Sequence, residues 1–196
     1  MSAGERGVIN RFIRGVAHDV GSIKSIPATK RHRSRQDHPT PWSFMSAIEN
    51  RFGNVVLDLA ATKTNSKAGR FISPRENSLK QDWKVMLNGE LGYLNPPFDP
   101  IRPWADKCVE EAIKGARFVM LTQASVDSNW FWEMFPYCTS YALRPRLTFI
   151  GSKDAFPKPL ILSAFNCVRL GAEPGPCGRL HRWNWLIDAE GVEAVQ

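Results

Sequence analysis

The tetrapeptide Asn95-Pro96-Pro97-Phe98 has the residue types that best suit a chemical site in this sequence. The two prolines lock their own backbone torsions and have no N–H, so the loop is rigid and its carbonyls remain able to accept hydrogen bonds. Asn95 adds a side-chain carbonyl, and Phe98 adds an aromatic face. Two acceptors beside a ring suit a planar base that bears an amino group. An ordinary strand-to-helix turn is the competing interpretation, since proline pairs are common breakers of regular structure.

Strands and helices alternate through the middle of the chain. Residues 55–57 and 92–94 are short apolar runs, typical of strands buried on both faces of a parallel sheet. They end at Asp58 and Asn95, and ligands bind beyond the carboxyl ends of strands in such sheets. The pattern predicts an α/β sandwich with a mainly parallel sheet.

The remaining elements are also predicted from hydrophobic periodicity. Helices are expected over residues 42–52, 103–116 and 129–135, and further strands over 118–121, 141–143, 147–150 and 160–165. The last two strands suit an antiparallel edge or hairpin. The polar stretch 60–79 is predicted to be irregular, with room for a short helix near Asn65.

Length and composition fit a single well-buried domain. The chain has 196 residues, of which 43% are hydrophobic, and no apolar run approaches the roughly 20 residues that span a bilayer. No apolar signal core follows the basic N-terminal residues, so a cytoplasmic protein is expected. The four cysteines are widely separated, without a C-x-x-C pair, which predicts reduced thiols and no metal site.

The net charge of +7 is unevenly distributed along the chain. Residues 1–40 and 144–182 each have a net charge of +5, residues 41–143 are neutral, and residues 183–196 have a net charge of −3. A neutral central segment between two basic segments suits a protein that binds a polyanion around a pocket. Basic segments can also serve solubility alone. We predict a flexible basic arm at residues 1–37, one domain at 38–187 and a short tail at 188–196.

An ordered series of residues surrounds the tetrapeptide. Before it come Thr40-Pro41, Leu57-Asp58-Leu59-Ala60-Ala61, Asn65 and Gln81-Asp82-Trp83; after it come Trp104, Asp127, Trp130 and Arg146-Leu147-Thr148-Phe149-Ile150-Gly151. This series, over about residues 38–166, resembles the phage-type DNA N6-adenine methyltransferase family, the Dam-like enzymes of phages and prophages. The tetrapeptide fits the pattern Asp/Asn/Ser-Pro-Pro-Tyr/Phe/Trp of amino-methyltransferases. The chain departs from similar proteins in Gln123, where they often have proline, and in its arm, which has no identified counterpart.

The resemblance implies a Rossmann-like S-adenosylmethionine-dependent methyltransferase sandwich, mainly parallel with antiparallel C-terminal strands. It implies transfer of a methyl group from S-adenosylmethionine to N6 of a flipped adenine in double-stranded DNA, directly and in line, without a metal. Asn95, Pro96, Pro97 and Phe98 would form the catalytic loop. Asn95 and the Pro96 carbonyl would accept the two amine hydrogens, and Phe98 would stack on the base.

The resemblance also implies a cofactor site. Asp58 would serve the methionine amine and Asp82 the adenosine, or the reverse, and Asp82 also suits a helix cap or turn. Thr40, Trp42, Ala60 and Asn65 would complete the pocket, although Trp42 fits a helical core stripe equally well.

DNA contact is expected from basic residues around the hairpin predicted near residues 147–165. These are Arg144, Arg146, Lys153 and Lys158, with Arg33 and Arg35 of the arm adding affinity that weakens with salt. Methylation of cytosine N4, an inactive DNA-binding relative, and an RNA- or protein-directed amine methyltransferase are the alternatives. A GATC recognition site is suggested by analogy alone.

Overall fold

A computed structural model describes residues 38–167 and 178–190 of the chain. The predicted arm, with Arg33 and Arg35, lies outside the described residues. The helices are α1 (Trp42–Phe52), α2 (Trp83–Leu87), α3 (Arg102–Ile113), α4 (Asn129–Met134) and α5 (Trp185–Ala189). The strands are β1 (Val55–Asp58), β2 (Arg70–Phe71), β3 (Leu91–Leu94), β4 (Phe118–Gln123), β5 (Thr139–Arg144), β6 (Leu160–Phe165) and β7 (Arg179–Asn184). No described helix is long and apolar enough to cross a membrane.

The seven strands form one sheet in the order β2-β1-β3-β4-β6-β5-β7. The strand β6 is antiparallel to both β4 and β5, and all other neighbours are parallel. The predicted mainly parallel α/β sheet with an antiparallel element near its C-terminal end is therefore confirmed. From β1 the chain leads to β2 on one side and then to β3 on the other. This reversal between β1 and β3 is where α/β sheets of this kind bind ligands.

Helices cover both faces of the sheet and bury a separate apolar cluster on each. The alternation along β4 shows the division, since Val119 and Leu121 pack with α1 whereas Phe118 and Met120 pack with α3. All four side chains are fully buried. A continuous apolar run is thus what a central strand between two helical layers requires.

The sequence-based prediction is wrong for residues 147–150, which form no strand. Leu147 and Phe149 are buried, so their alternation reflects the anchoring of a loop in the core and not strand pairing. The strand β6 is not at an edge, because it lies between β4 and β5. The end predicted for the domain, residue 187, falls inside α5.

Candidate active site

A cavity of about 410 Å³ lies at the carboxyl ends of β1 and β3. Four segments line it, residues 38–40, 58–67, 72–78 and 93–97, together with Trp104. Two of these segments follow β1 and β3 directly, and a third follows β2. The topology of the sheet therefore brings together segments that are far apart in sequence. The volume is within the range of sites for small molecules and cofactors.

Asp58, the last residue of β1, is a buried carboxylate in this cavity, with 3% of its surface exposed. Its Oδ1 accepts the backbone N–H of Ala60 at 3.3 Å, and its Oδ2 accepts that of Lys67 at 2.9 Å. Burial raises the pKa of Asp58 to about 6, although these two N–H groups and the Lys67 charge act to lower it. The ionised carboxylate is poorly solvated, so a cationic ligand group would stabilise it.

The side-chain amide of Asn95 has its orientation fixed by the protein. Its Nδ2 donates to the backbone oxygen of His38 at 2.9 Å and to Thr40 Oγ1 at 3.2 Å. A backbone carbonyl only accepts hydrogen bonds, so the amide atom that faces His38 must be the nitrogen. Both amide hydrogens are then used. Oδ1 is the atom of this amide that can accept a hydrogen bond from a ligand.

A buried pair of hydroxyls supports Asn95 from behind. Thr40 Oγ1 lies 2.6 Å from the phenol oxygen of Tyr93, and both residues are 1% exposed. Burial raises the pKa of Tyr93, so the phenol stays protonated at neutral pH. The hydrogen-bonded row Asn95–Thr40–Tyr93 therefore joins the loop after β3 to the segment that precedes α1.

The rest of the tetrapeptide faces two environments. Pro96 is buried, whereas Pro97 is exposed and lines the cavity. Phe98 is half-buried and lies outside the cavity lining, with its ring centroid 6.0 Å from those of both His38 and Phe156. The rings of His38, Phe98, Phe149 and Phe156 form a cluster, which we call the aromatic cluster.

The loop 145–159 lies at the same edge of the sheet as the cavity, because it leads from the carboxyl end of β5 to the start of the antiparallel β6. The N–H of Ile150 donates to the backbone oxygen of Pro39 at 2.9 Å, which attaches this loop to a cavity-lining segment. Arg146 Nη1 donates to the backbone oxygen of Pro157 at 3.0 Å. Four of the six basic residues predicted to contact DNA are described and exposed, with Arg144 at the end of β5 and the others in this loop: Arg146, Lys153 and Lys158.

A known protein family matches the part of the chain that forms the cavity. The model of a family described as DNA N-6-adenine-methyltransferase (Dam) matches residues 28–155, which include every cavity-lining segment. The chain belongs to the Dam family. A DNA N-6-adenine-methyltransferase of Haemophilus phage HP1 is 28% identical over 138 residues, which cover 64% of this chain and 76% of that protein. One of Escherichia phage T1 is 30% identical over 94 residues, which cover 48% of this chain and 38% of the relative.

Within this Dam-family fold, Thr40, Asp58, Ala60 and Asn65 line the cavity, as does Asn95. Two other residues predicted to contact the cofactor do not. They are Asp82 and Trp42.

Asp82 is the N-cap of α2 and lies outside the cavity lining. Its Oδ1 accepts the N–H of Val85 at 3.0 Å, and its Oδ2 lies 3.7 Å from Lys114 Nζ. The helix-cap interpretation of Asp82 is confirmed. Trp42 begins α1 with 59% of its surface exposed, so the core interpretation of Trp42 is wrong. Its ring centroid lies 4.3 Å from Nζ of Lys67, which does line the cavity.

The cavity residues that follow β2 were not predicted from the sequence. This strand has only two residues, so no apolar run marked the segment 72–78 as the end of a strand. Ser73 begins a turn there, in which its N–H and its hydroxyl donate to Glu76 Oε2 at 2.8 and 2.6 Å. The turn leads to Asn77 and Ser78, both of which line the cavity. The S-x-x-E spacing of Ser73 and Glu76 is the signal that could have found this turn.

Proposed function

We propose that this protein transfers a methyl group from S-adenosylmethionine to N6 of adenine in double-stranded DNA. Membership of the Dam family and the names of the two phage relatives support the substrate and the product. The observation that carries the proposal is the fixed amide of Asn95. It presents an acceptor oxygen beside a cavity of cofactor size.

The cavity has groups suited to both ends of S-adenosylmethionine. Asp58 offers a buried anion for the ammonium group of the methionine part. Ser73, Asn77 and Ser78 offer hydrogen-bonding groups for the adenosine part, and they replace Asp82 in that role because Asp82 lies outside the cavity. When bound, S-adenosylmethionine supplies an electrophilic methyl group on its sulfonium.

The residues around the target base act through position and charge. Asn95 Oδ1 and the Pro96 carbonyl accept the two hydrogens of the adenine amine and stabilise the positive charge that develops on its nitrogen. The amine proton then leaves to water. Because the row Asn95–Thr40–Tyr93 is already assembled, little reorganisation is needed at the moment of reaction.

An adenine in a duplex must be extruded before it reaches this site, at a cost of a few kcal/mol. Phe98 supplies the face on which the extruded base stacks, supported by His38 and Phe156 behind it. Arg144, Arg146 and the lysines of the loop 145–159 hold the DNA phosphates at the same edge of the sheet. The arm residues Arg33 and Arg35 would add nonspecific affinity. We place the reaction in the cytoplasm of a bacterial host because both relatives are phage proteins.

The test is transfer of labelled methyl from S-adenosylmethionine to unmethylated duplex DNA, followed by digestion to nucleosides. Label in N6-methyladenine is expected for the wild type, and Asn95→Ala should lower the rate by about 100-fold or more. Asn129→Ala, at an exposed asparagine of α4, is the matched control. Label in N4-methylcytosine would show that cytosine, and not adenine, is the substrate. Absence of transfer by a folded protein that binds S-adenosylmethionine would refute DNA methylation.

A further inference from the structure

Lys67 is a buried lysine whose charge has no counter-ion among the described residues. It is 8% exposed and lines the cavity. Burial lowers the pKa of its ammonium group, although the charge of Asp58 acts to raise it. A buried charge without a partner is costly, which makes such a group in a cavity a candidate for ligand binding.

Lys67 and Asp58 are held together by the backbone and not by their charges. The backbone N–H of Lys67 donates to Asp58 Oδ2 at 2.9 Å, which ties the two ends of one loop. No ion pair within 4.0 Å joins their side chains in the described part of the chain. Among the described residues that line the cavity, the carboxylate of Asp58 and the ammonium group of Lys67 are therefore both buried and form no ion pair with each other.

We propose that Lys67 binds the carboxylate of the methionine part of S-adenosylmethionine, while Asp58 binds its ammonium group. The inference rests on the proposed function, and it adds a specificity-determining residue to it. The amino-acid end of the cofactor has two opposite charges on neighbouring atoms, which this pair complements. A ribose hydroxyl is neutral and would leave the ammonium without a counter-charge. Lys67 is 8% exposed and lines the cavity, in contrast to the exposed Lys153 and Lys158, so a small ligand inside the cavity suits it better than a DNA phosphate.

Trp42 acts on the cofactor through Lys67. Its ring centroid lies 4.3 Å from Lys67 Nζ, a distance at which an aromatic face stabilises an ammonium group. Trp42 is 59% exposed, so the ring that contacts this ammonium group is itself largely open to solvent. Trp42 is therefore a positioning residue, which gives the tryptophan predicted for the pocket an indirect role.

The test uses two ligands that differ only in the carboxylate. Calorimetric titration without DNA measures the Kd of S-adenosylmethionine and of decarboxylated S-adenosylmethionine for the wild type, Lys67→Met and Lys63→Met. The control residue, Lys63, is exposed in the same loop and lies outside the cavity lining. We expect Lys67→Met to weaken the binding of S-adenosylmethionine by about 10- to 100-fold and that of the decarboxylated ligand by less than about 3-fold. Lys67→Arg should retain most of the preference for the carboxylate.

Equal weakening of both ligands by Lys67→Met would overturn the inference, because Lys67 would then act on the shape of the cavity. Unchanged binding of S-adenosylmethionine would overturn it as well. If Lys67→Met does not fold, Trp42→Leu provides the second test, with a smaller loss confined to the ligand that has the carboxylate. A wild type that binds neither ligand would refute the proposed function itself, which separates the two failures.

Discussion

Asp58 should make the protein less stable as the pH rises from about 4 to about 7. Its carboxyl is 3% exposed, and burial raises its pKa from 3.8 to about 6. The folded state therefore binds this proton more tightly than the unfolded chain. The resulting stability is fully present below about pH 4 and is lost as the pH rises through about 6. A difference of about two pKa units, each worth ~1.4 kcal/mol, gives a total of about 3 kcal/mol.

Comparison with Asp58→Asn isolates this contribution, because other titrating groups are common to both proteins. The free energy of unfolding is measured by urea denaturation at several pH values from about 4.5 to 8. Asparagine accepts one of the two N–H bonds at most, which produces an offset that does not vary with pH. On top of that offset, we expect the variant to gain about 2 kcal/mol relative to the wild type between about pH 4.5 and pH 7.

A difference between the two proteins that stays constant with pH would refute this account of Asp58. Saturating S-adenosylmethionine provides a further check, since its ammonium group stabilises the ionised carboxylate. The wild type should then lose less stability with rising pH, whereas the variant should show no such change. The ionised carboxylate of Asp58 would thus serve to bind S-adenosylmethionine, and it would lower the free energy of unfolding of the protein without this ligand.

Three further predictions concern other parts of the molecule. Thr40→Val should lower the free energy of unfolding by about 1–3 kcal/mol, because the buried Tyr93 and the half-buried Asn95 both lose its hydroxyl; urea denaturation measures this, with Thr40→Ser as the control. Glu111→Gln should lower it by about 3–5 kcal/mol, because this fully buried carboxylate is shared by two lysines; the exposed Glu110→Gln should cost much less. Joint substitution of Lys153 and Lys158 by alanine should reduce the slope of log affinity for DNA against log salt by about 2, measured by fluorescence anisotropy.

Each of these predictions has a contradicting result. Equal stability of the valine and serine variants at position 40 would show that the hydroxyl row does not stabilise the fold. Equal effects at positions 110 and 111 would mean that burial does not set the cost of losing the carboxylate. An unchanged slope of log affinity against log salt would show that DNA does not contact the two lysines of the loop 145–159.

Much of the site could be predicted because Asp58 and Asn95 each follow a strand of a parallel sheet. The apolar runs before Asp58 and Asn95 identify strand ends, and such ends meet at one edge of a parallel sheet. The helices α1 and α3 could be predicted because each presents an apolar stripe at helical spacing, and α4 was predicted as a short aromatic helix.

The rest depends on contacts that leave no local pattern. The strand β7 has one buried residue of six, so pairing with β5 defines it and hydrophobic alternation does not. In the sequence, nothing distinguishes Lys67 from an exposed lysine of a loop. Its burial depends on the fold, which brings its ammonium group to the ring of Trp42. The pairing of Thr40 with Tyr93 spans 53 positions of the sequence.

The position of β6 in the sheet has a consequence for synthesis of the protein. It fills the gap between β4 and β5, although it is made after both of them. Until residue 165 has left the ribosome, β5 has no neighbour that links it to the first four strands, and the second end of the loop 145–159 is not attached to the sheet. A nascent chain can therefore assemble the β1–β3 edge early, but it cannot fix the basic loop beside it. The capacity to engage DNA should arise only when the domain is almost completely translated.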